Sequence, residues 1–148
     1  GNSNNATQTD TGKQPKIVSS GSLLTQGSKA CINFDGSNDF LNKATYTQGA
    51  LSQPNTAFAV AKLDAYTDSN RKVFDGDVNS ARNMLHSTQK STANPNTTAM
   101  TGIVIGANHD TAQNFWDGDI QEIIICDSNQ TSNFTALEGN INSYYSIF

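Results

Sequence analysis

The sequence predicts an all-β fold: an antiparallel β-sandwich of jelly-roll type with one short C-terminal helix, spanning residues 1–148 as a single domain. Three observations carry that expectation. Short apolar segments of period two recur along the chain, about every 8–12 residues. Asp-Gly pairs and clusters of Asn, Ser and Thr separate them, as turn chemistry requires. Only residues 131–148 show the 3.6-residue apolar period of an amphipathic helix.

Taken in order, residues 1–15 are polar and aperiodic and read as loop, and "PKIVSS" (15–20) is a short strand. "LLTQGSKACINFDG" (23–36) turns at Gly27 and enters a clear strand, in which Ile32 and Phe34 alternate with Cys31 and Asn33. "FLNKA" continues as another. "TAFAVAKLDA" (56–65) sets Phe58, Val60 and Lys62 on one side and Ala57, Ala59, Ala61 and Leu63 on the other, the pattern of a central strand packed on both faces. "RKVFDG" (71–76), "NMLHSTQ" (83–89), "MTGIVIGANHD" (100–110) and "DIQEIIICD" (119–127) supply the remaining strands, with "STANPNTT" (91–98) as loop. In the last strand Ile120, Ile123 and Ile125 are expected to face inward and Glu122 outward. The tail aligns Phe134, Leu137, Ile141 and Tyr144 in one stripe. Ser132 or Thr135 is its candidate cap, and Thr135 with Glu138 has capping-box spacing. Gly139 weakens such a helix by ~1 kcal/mol relative to Ala.

Charged residues make up 15% of the chain, against ~25% in an average soluble domain, and the net charge is −4. A polar, weakly charged surface suits a module outside the cell or one packed beside copies of itself. Nucleic-acid binding requires a basic footprint, which is absent. No apolar run approaches the ~18 residues of a membrane span, so membrane insertion is not expected. No signal peptide is visible, and the opening "GNSNNATQ" reads as the interior of a longer sequence. Cys31 and Cys126 are too few for a disulfide scaffold, and their spacing fits no metal motif. Buried free thiols are expected, with a cross-strand disulfide as the alternative.

Asp-Gly occurs at 35–36, 75–76 and 117–118, and each pair reads as a turn at a strand boundary. "DGDVNS" places Asp75, Asp77 and Asn79 at alternate positions, as an EF-hand loop does. The sixth position is Ser80 instead of Gly and the twelfth is His86 instead of Glu, so the EF-hand reading fails. A loop-built calcium site of another type would draw on Asp75, Asp77, Asp110 and Asp117; calcium is the one cofactor the sequence admits. The chain has no nucleophile elbow, zinc-protease motif, P-loop or dinucleotide fingerprint. His86 and His109 have no companion at ligand spacing. The acids fall mostly at turns, where Asp has structural reasons to be.

The segments "ACINFDGSNDFL", "TAFAVAKLD", "RKVFDG", "TGIVIGANHD", "NFWDGDIQEIIICD" and "LEGNINSYYSI" follow one another in an order that resembles a laminin G-like domain of the concanavalin A-like lectin/glucanase superfamily. The resemblance is to the variant found in bacterial secreted proteins and phage virion proteins. "GNSNNATQTDTGKQPKIV" resembles the family's segment after a Trp-Tyr-Asp-Gln-Ser-Gly motif, so the family's N-terminal strands are expected to be missing. The resemblance implies a two-sheet jelly roll in which "ACINF" pairs with "EIIIC", with Cys31 and Cys126 on neighbouring strands. The same pattern also resembles the catalytic domain of α-L-arabinofuranosidase B. There the acid/base lies in a Gly-Gly-Asp-Asn segment before a Phe-Tyr-Glu-Gly turn. Here "GANHD" precedes "FWDG", and the acid position falls on Asn108, which cannot donate a proton as a carboxylic acid does. Asp110 lies two residues away, and Asp64 is the acid nearest the family's nucleophile. The expectation is therefore no enzyme.

Together these readings imply a non-catalytic module on a virion surface or in an extracellular protein, binding glycans or cell-surface polysaccharide. Trp116, Tyr66, Asn108, His109 and Asp110 are its candidate contacts, with core packing as the competing role for Trp116. Two alternatives stand beside it. One is a structural virion protein, such as a capsid-decoration, head-fibre or tail subunit, assembled with copies of itself or other virion proteins. The other is a glycoside hydrolase of arabinofuranosidase type.

Overall fold

The computed structural model describes residues 3–64, 70–76, 84–86, 99–108 and 113–147. Eleven strands are found there: β1 (Val18–Ser19), β2 (Ser22–Leu23), β3 (Thr25–Gln26), β4 (Lys29–Ala30), β5 (Ile32–Asp35), β6 (Leu41–Lys43), β7 (Thr56–Leu63), β8 (Lys72–Asp75), β9 (Met84–His86), β10 (Ile103–Ile105) and β11 (Asp117–Cys126). The helix α1 (Phe134–Tyr145) follows. Every pairing is antiparallel. Two sheets carry the body, one ordered β6-β10-β8-β9 and one ordered β5-β11-β7, and two small hairpins, β1-β2 and β3-β4, stand beside them. The expected all-β class with a C-terminal helix is what the chain adopts.

The core forms where the two sheets meet. Phe34 from β5 and Ile120 from β11 pack with Val73 and Phe74 from β8, Ile103 from β10, and Tyr46, Met100 and Trp116 from the connections. Burying aromatic and branched side chains of this size is the main stabilising term, at roughly 25 cal/mol per Å² of apolar surface removed from water.

β11 is the central strand of its sheet, and the expectation that β7 is central is corrected. Among the described residues β7 pairs with β11 alone, along its whole length. Its two faces are nonetheless both packed: Ala59 and Leu63 lie on the core, while Phe58 meets Phe134 of α1 with ring centroids 5.4 Å apart. The partner of β5 also differs from the implied one. Residues 32–35 pair with 117–120, and 122–126 pair with β7 instead. A register shift between Ile120 and Glu122 explains why an even-numbered and two odd-numbered isoleucines share the core face. Gln121 is the extra residue, and one added residue reverses the side-chain alternation. Its amide donates to the Gln26 and Lys29 carbonyls, so the bulge also anchors the β3-β4 hairpin.

The first Asp-Gly pair is a turn and the third is not, while the second stands at the end of β8 and the residues after it, 77–83, lie outside the described residues. Asp35 Oδ1 accepts the Ser37 and Asn38 N–H groups, and Gly36 has φ +71°. Burial alone would raise the Asp35 carboxyl, but the N–H groups of Ser37, Asn38 and Asp39 outweigh it and hold it below the ordinary value. Asp75-Gly76 closes β8, and Gly76 is required by packing, since an added Cβ would lie 2.5 Å from Met100 Cγ. Asp117-Gly118 is inside β11, with Asp117 opposite Asp35 and Gly118 opposite Phe34.

α1 begins later than a cap at Ser132 would give, and Thr135 lies inside it. Its N-cap is Asn133, which makes no side-chain cap bond. A short 3-10 turn (Thr131–Asn133) leads in, and it is held by Gln130, whose N–H donates to Thr56 Oγ1 on β7. Tethering to the sheet replaces the expected capping box. The helix ends at Ser146 in the left-handed conformation, with Ile147 N donating to Asn142 Oδ1.

Cys31 and Cys126 are free thiols, as expected. Cys31 immediately precedes β5, whose Ile32 lies opposite Ile120 of β11, whereas Cys126 at the far end of β11 lies opposite Thr56, which offsets the two thiols along β11. Burial, and then the Asp119 carboxylate beside it, push the Cys31 thiol up to about 11. Only the thiolate reacts. Near pH 8 a thiol reagent should therefore label Cys126, which is half-buried, well before Cys31. Raising the pH toward 11 should narrow that difference. Equal rates at pH 8 for the Cys31→Ser and Cys126→Ser variants would contradict the assignment.

Candidate functional site

The described residues among those singled out by the sequence, Asn108, Trp116, Asp75 and Asp117, lie at the ends of β8 and β10 and at the start of β11. The backbone there is a relay between the two sheets. Gly106 N donates to the Val73 carbonyl, Trp116 N donates to the Gly106 carbonyl, and Gly36 N donates to the Trp116 carbonyl, at 2.9, 2.8 and 2.9 Å. Gly106 sits at φ +83°, and a Cβ on it would come within 2.3 Å of the Phe34 ring. Glycine is needed on both counts.

Trp116 is 4% exposed and belongs to the core cluster, so its side chain packs inside instead of offering a face to solvent. Its indole Nε1 has no hydrogen-bond partner among the described residues. Asn108 is also buried, at 5% exposure. Its backbone N donates to the Gln113 carbonyl at 2.9 Å, and its Oδ1 accepts the Gln113 N–H at 2.7 Å. The side chain thus completes a clamp that fixes both ends of segment 109–112.

A second clamp stands next to it. Asp64 N donates to the Asp117 carbonyl, and Lys72 N donates to the Asn114 carbonyl. The residues flanking segment 65–69 are thereby tied to the start of β11 and to the stretch leading into it. Asn114 takes φ +55°, a conformation Asn tolerates better than most residues. Arg71 binds the frame together: Nη1 donates to the Phe115 carbonyl at 2.8 Å and to the Gly36 carbonyl at 3.3 Å, and Nη2 lies 3.8 Å from Asp117 Oδ2. A guanidinium suits this task because its donors form a planar fork.

The structure therefore brings Trp116 and Asn108 together as scaffold. Tyr66, His109 and Asp110 lie outside the described residues, on the two segments this scaffold anchors. Of the calcium candidates, Asp75 is completely buried at the end of β8 and Asp117 is engaged by Arg71. Asp77 and Asp110 lie outside the described residues. Among the described residues no three His, Cys, Asp or Glu side chains converge as a metal site. Asp64 is exposed and pairs with Lys62 at 3.2 Å, a surface ion pair of small energetic value.

Arg71, Gln113 and Gly106 escaped the sequence reading. Arg71 carried a faint signal, a second cation beside Lys72 at the entry to a short strand. Gln113 and Gly106 carried none, because their roles exist only once distant segments meet. Comparison of the chain with protein-family models, with curated proteins and with solved structures found no match.

Proposed function

We propose that this chain is a non-catalytic recognition module, a jelly-roll β-sandwich of the concanavalin A-like kind that binds glycans on the surface of a virion or a secreted protein. The observation that carries this reading is the pair of adjacent clamps. The residues on either side of 65–69 and of 109–112 are held by one frame built by Asn108, Trp116 and Arg71. Binding groups are commonly borne on loops held by a rigid scaffold. In this reading Tyr66, His109 and Asp110 supply an aromatic ring and polar groups for a saccharide, and Trp116 and Asn108 belong to the frame. The use of Asn108 as a clamp accords with a site that has no acid at the position the related glycosidases use.

A glycan array tests this. Tyr66→Ala and Asp110→Ala should each lose binding by at least tenfold, whereas Trp116→Phe should keep it. An array on which the unaltered protein binds no saccharide would sink the glycan reading and favour the structural alternative. That second reading has an observation of its own. Ile17, Val18 and Leu23 on the β1-β2 hairpin and Tyr144 and Ile147 at the end of α1 are large, apolar and about half exposed. Such side chains suit burial against further subunits.

A further inference from the structure

A groove of about 510 Å³ lies between the outer face of β11 and α1 and is lined by Glu122, Ile124, Asn140, Ile141, Ser143, Tyr144 and Tyr145. Its size falls within the range of small-molecule sites, ~300–1,000 Å³. Local geometry places these groups together. Glu122 and Ile124 are two apart on a strand and so share a face. Asn140, Ser143 and Tyr144 are three and four apart on the helix, as are Ile141 and Tyr145. The Gln121 bulge is what turns Glu122 toward the helix while Ile123 and Ile125 stay on the core.

The chemistry of the lining is one-sided. Glu122 is its one charged group. Tyr145 stands near that carboxylate: burial first, and then the Glu122 charge, push its hydroxyl above the ordinary value. A carboxylate has about four lone-pair sites, which leaves room for a ligand's donors. Asn140 and Ser143 add two further oxygen acceptors to the lining. Ile124 and Ile141 make an apolar strip. The ring of Tyr144 is already covered by the Lys29 ammonium, 3.8 Å from its centroid, so that face is not open to stack on a sugar.

We infer that this groove binds a primary alkylamine. The ammonium group has three donors, and Glu122, Asn140 and Ser143 supply three acceptors. The carbon chain lies along Ile124 and Ile141. Among the lining residues Glu122 is charged and none is cationic, the nearby Lys29 ammonium being engaged on the Tyr144 ring, and the chain as a whole carries net charge −4, which favours a cationic ligand. The inference is independent of the loop-borne glycan reading.

Titration of the ¹⁵N-labelled protein with 1,5-diaminopentane tests it, with 1,5-pentanediol as the uncharged control of the same length. Saturable shifts are expected at Glu122, Ile124, Asn140 and Ser143 with the diamine and none with the diol. Glu122→Gln should weaken binding at least tenfold, as expected for loss of a charge-assisted hydrogen bond. Asn140→Asp, on the exposed side of the helix, should tighten it several-fold by adding a second carboxylate. Asp110→Ala, which alters no lining residue, should leave it unchanged and so separates this inference from the glycan reading. The inference is overturned by equal binding of the diol, by an unaltered affinity in Glu122→Gln, by an Asn140→Asp affinity no higher than that of the unaltered protein, by a loss of binding in Asp110→Ala, or by no saturable shift up to about 10 mM diamine.

Discussion

Replacing Trp116 by Ala is expected to cost about 3–5 kcal/mol of folding stability, and replacing it by Phe only about 1 kcal/mol. The Ala change removes a whole indole from a site that is 4% exposed and surrounded by the core cluster. Phe34 and Ile120 from one sheet and Val73, Phe74 and Ile103 from the other would then face a cavity that rigid strands cannot close. The Phe change keeps most of the volume. It also deletes Nε1–H, a buried donor without a partner among the described residues, whose burial unpaired is itself costly. Urea unfolding of the three proteins measures both differences. A Phe variant as unstable as the Ala variant would show that the indole N–H makes a bond worth keeping, and would return Trp116 to the list of ligand contacts. The same reasoning makes Phe the informative substitution on a glycan array, because lost binding in an Ala variant would report unfolding.

Gly118→Ala is expected to be the second most damaging single change, at about 3 kcal/mol or more. Two costs combine. Gly118 sits at φ +136°, where an L residue is strained by about 1–3 kcal/mol. A Cβ there would also come within 2.2 Å of the Lys62 carbonyl oxygen and 2.9 Å of Asp64 N. Both are backbone atoms of or next to β7, so no side chain can rotate away, and overpacking a fixed site of this kind costs a further 1–3 kcal/mol, roughly. Relief requires parting β7 from β11, which loosens the anchor of segment 65–69. The expected signature is a lower unfolding midpoint together with faster hydrogen exchange at Asp64 N, which donates to the Asp117 carbonyl. Gly139→Ala is the matching control. It sits in α1 with nothing within 4 Å of the added Cβ and should stabilise by up to ~1 kcal/mol. A Gly118→Ala protein as stable as the unaltered one would show that the strand start is not fixed as described.

The extent to which the sequence was legible follows from the range of the interactions involved. Strand positions came through well because period two is a local property: Phe34 buries and Asn33 does not, whichever strand lies beside them. The helix stripe was readable for the same reason, through Leu137 and Ile141, which are half-buried as a core-facing pair should be. Its last member was not. Tyr144 is 58% exposed with Lys29 across its ring, and Tyr145 turns inward to Glu122 instead. The helix meets its sheet through a bulged strand and a hairpin, and neither can be placed from the stripe.

Asp-Gly pairs illustrate the limit more sharply. The dipeptide says that glycine is needed and leaves the reason open. At Gly36 the reason is a turn, at Gly76 it is the bulk of Met100, and at Gly118 it is the backbone of the neighbouring strand. Trp116 and Asn108 follow the same logic, since either residue type serves a binding surface or a buried joint equally well.

What the sequence determined by itself is the class of the fold, the place of nearly every strand and the terminal helix. These depend on side-chain patterning within a few residues. The tertiary structure alone decided that β11 is the central strand, that Gln121 is a bulge, that Trp116 and Asn108 are scaffold, and that Glu122 meets Tyr145 across a groove. Each of these depends on segments far apart in the chain meeting in one register, and register is fixed by the packing of the whole core.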